Sequence, residues 1–229
     1  MVKKQKNNVF VFSNQKGGVG KSTLCALFAN YLAARNFDVC VIDVDFQQTI
    51  FKKRERDKAL IEGKGMSIPY NVYSYNNIDN IKGVESLMAK INNEISGTTL
   101  IDTPGNITED GLIAILANCD GIICPFDYTE TCLDSTFKFG NLWKMAKAKY
   151  RGIRAEMVFV PNRIDKREGT KSDWELWNKC DEVLRNVGDI TPKIFSKKTM
   201  KTFNTHELDA VQATEVQPAF DYIIKKFYK

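Results

Sequence analysis

The sequence is short of the features that mark membrane, secreted and metal-binding proteins. No apolar run approaches the roughly 20 residues that a membrane-spanning helix needs, and the basic start at residues 1–8 leads into a strand-like segment instead of a signal-peptide core. The single histidine and six cysteines without a C-x-x-C pair give no metal-binding pattern. Repeats and low-complexity tracts are also missing. We expect one cytoplasmic domain over residues 1–229, with the cysteines as small buried hydrophobic residues.

Acidic residues are absent from two segments of the chain. The protein has 33 lysines and arginines against 28 aspartates and glutamates, a modest excess, but residues 135–155 and 190–204 contain basic residues and no acid. Each segment predicts either a polyanion-binding face or an ordinary solvated surface, because clustering along the chain does not establish clustering in space. The basic residues are Lys138, Lys144, Lys147, Lys149, Arg151 and Arg154 in the first segment, and Lys193, Lys197, Lys198 and Lys201 in the second.

Short β-branched and aromatic runs alternate with helical patterns along the chain. Apolar residues at helical spacing occupy the intervening segments, for example 24–34, 131–149 and 171–187. This alternation predicts an α/β fold with a doubly wound, mainly parallel sheet and helices on both faces. Ligands of such folds collect at the carboxyl ends of the strands. The predicted strands are 9–13, 39–43, 71–75, 98–103, 121–126, 157–161 and 192–195.

A glycine-rich segment joins the first predicted strand to the first helix. Its glycines permit close backbone approach, and the following helix start directs N–H groups and partial positive charge at an anion. Lys21 can reach the β- and γ-phosphates of a nucleotide, and the Ser22 hydroxyl can ligate Mg²⁺. The segment therefore predicts a phosphate-binding loop, with nucleotide contacts from Gly17, Gly18, Val19, Gly20, Lys21, Ser22 and Thr23.

The loop departs from the general pattern G-x-x-x-x-G-K-[ST] in an informative way. Gln15 occupies the first glycine position, and a second lysine, Lys16, follows it. This form resembles the signature of the ParA/MinD family of ATPases. The resemblance implies a P-loop NTPase fold that binds ATP and Mg²⁺, and a homodimer in which Lys16 reaches the partner's nucleotide. It also implies that Lys16 and Lys21 take part in catalysis.

Two carboxylates, Asp43 and Asp45, follow the second predicted strand at i and i+2. From the residues alone they are either acids beside the phosphate loop or polar residues that cap the next helix. The resemblance implies that Asp43 supports Mg²⁺ through water and that Asp45 positions the attacking water. Phe46 stands where the family usually has proline, which changes the expected backbone path but not the carboxylates.

A third acid, Asp102, ends the apolar strand predicted at 98–103. An acid at this position is typical of a Walker B segment, which holds Mg²⁺ usually through a bound water. The predicted metal set is therefore Ser22, Asp43 and Asp102. The next residues, 103–105, resemble the loop that senses the γ-phosphate in P-loop proteins, with a plain turn as the alternative.

Asn162 follows the predicted strand 157–161, where an amide can pair with the donor and acceptor of a base edge. The family's adenine-contacting asparagine occupies such a position, and a turn-forming asparagine is the alternative. The chain has no N-K-x-D sequence of the kind that GTPases use for guanine. Adenine is therefore the predicted base.

Apolar residues recur at helical spacing near the end of the chain, at Phe220, Ile223, Ile224 and Phe227. Basic amphipathic helices can lie on anionic membranes, and MinD-like relatives use a C-terminal helix in this way. Such a stripe more often packs on the protein's own core. We therefore expect a docked helix and no membrane partner.

The resemblance implies an ATPase switch of the ParA type. Such a protein dimerises with ATP, binds DNA non-specifically in that state, and hydrolyses ATP under the control of a ParB-type partner during partition of a plasmid or other mobile element. No helix-turn-helix pattern precedes the phosphate loop, so operator recognition is not expected. The alternatives are a MinD-like membrane-associated positioning ATPase and a small-molecule ligase or reductase on the same fold. The predicted DNA contacts are Lys193, Lys197, Lys198 and Lys201.

Overall fold

The computed structural model describes residues 7–78, 80–105, 109–150, 152–165, 167 and 169–228. The basic start of the chain at residues 1–6 and the predicted surface residue Arg151 lie outside these ranges. The strands are β1 Asn8–Phe12, β2 Val39–Asp43, β3 Asn71–Ser74, β4 Thr98–Asp102, β5 Gly121–Phe126, β6 Glu156–Pro161 and β7 Asp189–Ile190. The helices are α1 Lys21–Ala33, α2 Thr49–Gly63, α3 Ile81–Glu94, α4 Glu109–Ala117, α5 Glu130–Lys149, α6 Lys171–Leu184 and α7 Ala210–Phe227, with a 3₁₀ turn at Lys198–Lys201.

The seven strands form one parallel sheet in the order β3-β2-β4-β1-β5-β6-β7. This confirms the predicted doubly wound α/β fold. The first strand lies inside the sheet between β4 and β5, so the strand order reverses there and opens a crevice at the carboxyl edge. The register pairs Phe12 of β1 with Asp102 of β4, and Asp102 with Asp43 of β2. The ends of these three strands therefore lie side by side.

Side chains of the sheet alternate between two hydrophobic cores. On β1, Val9 and Val11 face the core that includes residues of α3, α4 and α5. Phe10 and Phe12 face the other core, with residues of α1 and α7. All four side chains are fully buried. Central parallel strands read as continuous apolar runs because both of their faces are covered in this way.

The last predicted strand, 192–195, is wrong in its position. The paired strand is β7 at Asp189–Ile190, and Phe195 makes an isolated bridge with Ile164. Pro192 has no N–H to donate, so a continuous ladder ends before it. The chain nevertheless stays beside β6, since the Ile194 amide donates to the Pro161 carbonyl at 2.8 Å.

The C-terminal helix α7 packs on the core, as expected from its apolar stripe. Phe220 and Ile223 are fully buried, and Phe227 packs edge-on against Phe10 with ring centroids 5.0 Å apart. A capping box between Asp209 and Gln212 fixes its start. Among the described residues, no helix combines the length and the apolar character required to cross a membrane.

The six cysteines are free thiols, as expected for small hydrophobic residues. Five are buried and Cys180 is partly buried. In the described ranges no cluster of histidine, cysteine and acidic side chains has the arrangement of a metal site built from protein ligands alone.

Candidate nucleotide-binding site

The predicted phosphate-binding loop lies at the carboxyl end of β1 and leads directly into α1. Gly18 and Gly20 have φ angles of 80° and 100°, in the left-handed region that glycine adopts without steric cost. Gly20 precedes the first helical residue, and its carbonyl accepts from the Leu24 amide at 2.8 Å. A Cβ on Gly20 would lie 2.5 Å from the Asn162 amide nitrogen. A larger residue there would therefore strain the loop and displace Asn162.

The two lysines of the loop have different surroundings. Lys21 is buried, with 7% of its surface exposed, and its ammonium donates to the Lys16 carbonyl at 3.0 Å. Burial lowers the pKa of Lys21, and the nearby Asp102 carboxylate opposes that shift. Lys16 is partly buried. Among the described residues, Lys21 lines the pocket over the phosphate loop, named the phosphate pocket, and Lys16 does not.

Asn14 anchors the loop, a role that the sequence analysis missed. Its side-chain amide donates to the Pro125 carbonyl at 2.8 Å and to the Thr136 hydroxyl at 3.0 Å, and its carbonyl oxygen accepts from the Lys16 amide at 3.0 Å. The side chain is almost fully buried. It ties the loop to β5 and α5, and no pattern in the sequence distinguishes it from an ordinary loop asparagine.

Asp102 is a fully buried acid beside the loop. Within the part of the chain described, neither of its carboxylate oxygens has a hydrogen-bond partner. Burial raises the pKa of Asp102 well above its usual range, and the nearby Ser22 hydroxyl and the Lys21 ammonium act in the opposite direction. A buried, unpaired carboxylate is costly unless another group compensates it. Mg²⁺ prefers oxygen ligands and retains waters, so Asp102 and Ser22 fit the predicted metal site.

Asp43 fits both of the roles that the sequence left open, an acid near the phosphate loop and a cap of the next helix. It ends β2 beside Asp102, and it also caps α2, because one carboxylate oxygen accepts from the Ile50 and Phe51 amides at 2.9 and 3.1 Å. The other oxygen accepts from the Asp45 amide at 3.2 Å. Burial raises the pKa of Asp43, while these backbone amides lower it. The helix-capping role is thus built into the fold.

Asp45 and the 103–105 turn border the pocket over the phosphate loop. This pocket has a volume of about 270 Å³ and is lined by Asp45, Thr49, Gly105 and Arg163 together with Gly17, Gly18, Gly20, Lys21, Ser22 and Thr23. The Asp45 carboxylate accepts from the Gln47 amide at 2.8 Å, which fixes the turn before α2. A Cβ on Gly105 would lie 3.3 Å from the Gly17 nitrogen, so the 103–105 turn lies against the phosphate loop.

A second pocket adjoins the first and has a volume of about 330 Å³; it is named the base pocket after the adenine contact predicted for Asn162. Asn162 lines it, with 5% of its surface exposed, and donates from its amide to the Val19 carbonyl at 2.9 Å. The two pockets share Gly20, Thr23 and Arg163, so they are continuous, with Lys21 lining the first pocket and Asn162 the second. The remaining lining residues are Leu24, Phe195, Ser196, Lys197, Met200 and Lys201.

The four lysines predicted to contact DNA are not all in one place. Lys197 and Lys201 line the base pocket. Lys198 is exposed, and it begins the 3₁₀ turn that ends at Lys201. Lys193 lies apart from them, because its ammonium pairs with Asp181 at 2.9 Å and stands 5.2 Å from the centroid of the Tyr128 ring. Lys197 has an acidic neighbour too, Glu215 at 3.5 Å.

A larger cavity of about 550 Å³ lies at the opposite edge of the sheet. Its lining includes Asn7 before β1, Asn118 before β5 and Arg154 before β6. Arg154 belongs to the acid-free segment 135–155, whereas none of the predicted nucleotide, metal or DNA contacts lines this cavity. The two smaller pockets, at the carboxyl edge, are lined by predicted site residues, among them Lys21, Asp45 and Asn162.

Together the parallel sheet and the glycine-rich loop at its carboxyl edge define a P-loop nucleotide-binding protein. The family model described as the CobQ/CobB/MinD/ParA nucleotide binding domain matches residues 10–176. The chain therefore belongs to this family, within which its fold is that of the ParA/MinD-type ATPases. No curated protein matches the chain.

Solved structures of the same type resemble the whole chain. The McdA(D38A)-ATP complex from Cyanothece superposes with a TM-score of 0.74 at 15% identity, and 96% of each chain is covered. A putative plasmid partition protein from Borrelia burgdorferi bound to AMPPNP gives 0.67 at 18% identity, with 97% of this chain and 100% of that chain covered. The cell division ATPase MinD from Pyrococcus furiosus gives 0.67 at 15% identity, covering 96% and 99%. At such identities the likeness establishes the fold.

Proposed function

We propose that this protein is an ATP-dependent, dimerising ATPase switch of the ParA type that binds DNA non-specifically with ATP and acts in partition of a plasmid or other mobile element. The observation that carries the proposal is the phosphate pocket, where Lys21, Ser22 and Asp45 converge beside the buried Asp102. The structural neighbours McdA and the Borrelia partition protein, solved with ATP and AMPPNP, support ATP as the ligand.

Hydrolysis depends on positioning and charge, because phosphoryl transfer leaves little covalent chemistry to the protein. Lys21 and the loop amides hold the phosphates, and Asp45, at the rim of the pocket, orients the attacking water. Ser22, Asp43 and Asp102 would hold Mg²⁺, the carboxylates through water. Bound Mg²⁺ would neutralise the charge that develops on the phosphate oxygens.

Lys16 is assigned to the partner's nucleotide. Its amide is fixed by Asn14, while its side chain does not line the phosphate pocket of its own subunit. A lysine that lies beside its own phosphate site without lining it is compatible with the cross-dimer contact that the resemblance to ParA/MinD ATPases implies. ATP would then join the two subunits, and hydrolysis, stimulated by a ParB-type partner, would separate them.

The DNA surface is assigned to the 3₁₀ turn with Lys198 and Lys201 and to Lys197 directly before it. Lysines that neutralise phosphates give sequence-independent, salt-sensitive binding. Because Lys197 and Lys201 also line the base pocket, an occupied pocket can fix the turn that presents them. This provides a physical route by which DNA binding follows the nucleotide state. Lys193 contributes less, since only 18% of its side chain is exposed and Asp181 pairs with it.

The MinD-like alternative requires a free amphipathic helix at the chain's end. The apolar face of α7 is instead packed into the core, with Phe220 and Ile223 fully buried. Membrane binding through this helix would therefore cost the burial of that face. Sedimentation with anionic liposomes and ATP separates the two functions, and we expect the protein to stay in the supernatant.

DNA binding measured with ATP, with ADP and without nucleotide tests the proposal. We expect binding with ATP, equal affinity for unrelated duplexes of one length, and a linear fall of log affinity with log salt. Replacing Lys197, Lys198 and Lys201 by alanine should flatten the slope by up to about 2.7, at ~0.9 per phosphate contact. Lys198→Ala alone should remove about 0.9 and leave nucleotide affinity unchanged, because Lys198 does not line the pocket.

The charge-matched control replaces Lys138, Lys144 and Lys149 of α5 by alanine. If this control flattens the slope and the first variant does not, the DNA surface is on α5. Binding that is independent of nucleotide, or strongly selective for one sequence, would contradict the proposed switch.

A further inference from the structure

Arg163 lies where the base pocket and the phosphate pocket meet. It is one of three residues that line both, with Gly20 and Thr23. Its Nε atom is 3.9 Å from the position that a Cβ on Gly20 would occupy, so the side chain extends over the phosphate loop. The guanidinium is therefore held beside the backbone that cradles the phosphates.

The backbone of Arg163 has an unusual conformation for a residue with a side chain. Its φ angle is 62°, in the left-handed region that costs a non-glycine residue roughly 1–2 kcal/mol. Asn162, just before it, is fixed to β5 by an amide that donates to the Phe126 carbonyl at 2.7 Å. Ile164, just after it, donates its amide to the Ile194 carbonyl at 3.2 Å. Backbone hydrogen bonds therefore fix the turn on both sides of Arg163, and its side chain points toward the phosphate loop.

The position between the two pockets identifies the part of the nucleotide that Arg163 meets. A nucleotide with its base beside Asn162 and its terminal phosphates beside Lys21 has its ribose and α-phosphate between them. Guanidinium groups bind phosphate oxygens through two parallel N–H donors. Among the described residues Arg163 forms no ion pair, whereas Lys197 in the same pocket is close to Glu215, so the arginine charge is available to a ligand.

We infer that Arg163 contacts the α-phosphate of a bound nucleotide within the same subunit and positions it between the two pockets. This inference deepens the proposed function and rests on its nucleotide site. It assigns the α-phosphate to Arg163 while Lys21 serves the terminal phosphates. Affinity for ADP and ATP should therefore depend on Arg163 equally, because the α-phosphate is common to both.

Titration calorimetry with Mg²⁺ and either ADP or AMPPNP tests the inference. Arg163→Ala should weaken both ligands by the same factor, about tenfold, which corresponds to about 1.4 kcal/mol. Arg163→Gly removes the side chain and accepts the left-handed backbone, so it should weaken both ligands as much as alanine does. Arg163→Lys should recover part of the affinity, since it keeps the charge and loses the two-donor geometry. Arg185→Ala, at the exposed end of α6, is the matched control and should bind both ligands like the parent.

Three results would overturn the assignment. If Arg163→Gly binds like the parent while Arg163→Ala does not, the backbone conformation matters and the side chain does not. If affinity for AMPPNP alone falls, Arg163 serves the γ-phosphate. If both variants bind like the parent, the arginine makes no nucleotide contact. The ATPase proposal fails separately, if the parent binds ADP and AMPPNP through Arg163 but does not hydrolyse ATP.

Discussion

Replacing Asp102 should stabilise the protein in the absence of nucleotide and Mg²⁺. The wild-type carboxylate is fully buried without a hydrogen-bond partner among the described residues, and its pKa is raised by burial. An unpaired buried polar or charged group costs about 1–3 kcal/mol or more. Asp102→Asn removes the charge at nearly constant shape. We expect a gain of about 1–3 kcal/mol at pH 8, equivalent to a rise of roughly 2–12 °C in Tm for a chain of this size.

The dependence on pH follows from the direction of the pKa shift. The pKa of Asp102 is higher in the folded protein than in the unfolded one, so ionisation of Asp102 opposes folding. This destabilisation is complete at pH values above the folded-state pKa. The penalty declines as pH falls through that pKa and vanishes below the unfolded value. The stability difference between Asp102→Asn and the parent should therefore shrink as pH falls from 8. Urea denaturation in a chelating buffer at several pH values measures it.

Asp43→Asn is the matched control for the Asp102 variant. The Asp43 carboxylate accepts from the backbone amides of Asp45, Ile50 and Phe51, and an asparagine NH₂ would face at least one of these donors. This variant should lose about 1–3 kcal/mol. A less stable Asp102→Asn at pH 8, or a difference that does not change with pH, would refute the reasoning. With Mg²⁺ and ATP the parent should gain more stability than Asp102→Asn, since ligands stabilise the state that binds them.

Four further substitutions test the loop and its surroundings. Lys21→Ala should abolish nucleotide binding. Lys16→Ala should keep measurable ATP binding and lose hydrolysis and normal dimer formation. If Lys16→Ala hydrolyses ATP at the parent rate, the role given to Lys16 is wrong. Asp45→Ala should accumulate an ATP-bound dimer in gel filtration, because loss of a water-positioning carboxylate slows hydrolysis more than ATP binding. If the variant stays monomeric with normal ATP affinity, Asp45 serves assembly instead. Asn14→Ala should cost about 1–3 kcal/mol of folding stability and weaken ATP binding, because it leaves the Lys16 amide without its acceptor. Urea denaturation measures the stability, and calorimetry measures the affinity. Unchanged ATP affinity would show that the loop does not depend on Asn14.

Local patterns in the sequence were sufficient for the fold and the phosphate loop. Runs of β-branched and aromatic residues identified six of the seven strands to within one or two residues. The interior strands are apolar throughout because both of their faces are covered, whereas the edge strand β3 is largely exposed. The seventh was misplaced because its apolar residues follow Pro192, which interrupts the ladder. The loop was recognisable because its backbone angles require Gly18 and Gly20 at fixed positions between a strand and a helix.

The tertiary structure decided what depends on residues far apart in the chain. Asn14 acquires its role from Pro125 and Thr136, more than 100 positions away. Lys197 and Lys201, which read as a solvated or DNA-binding run, reach the base pocket because the chain after β7 continues beside β6. The sequence alone determined which residues can hold a phosphate. The packing of distant segments determined which of them share one site, because contact geometry depends on the folded path and not on spacing along the chain.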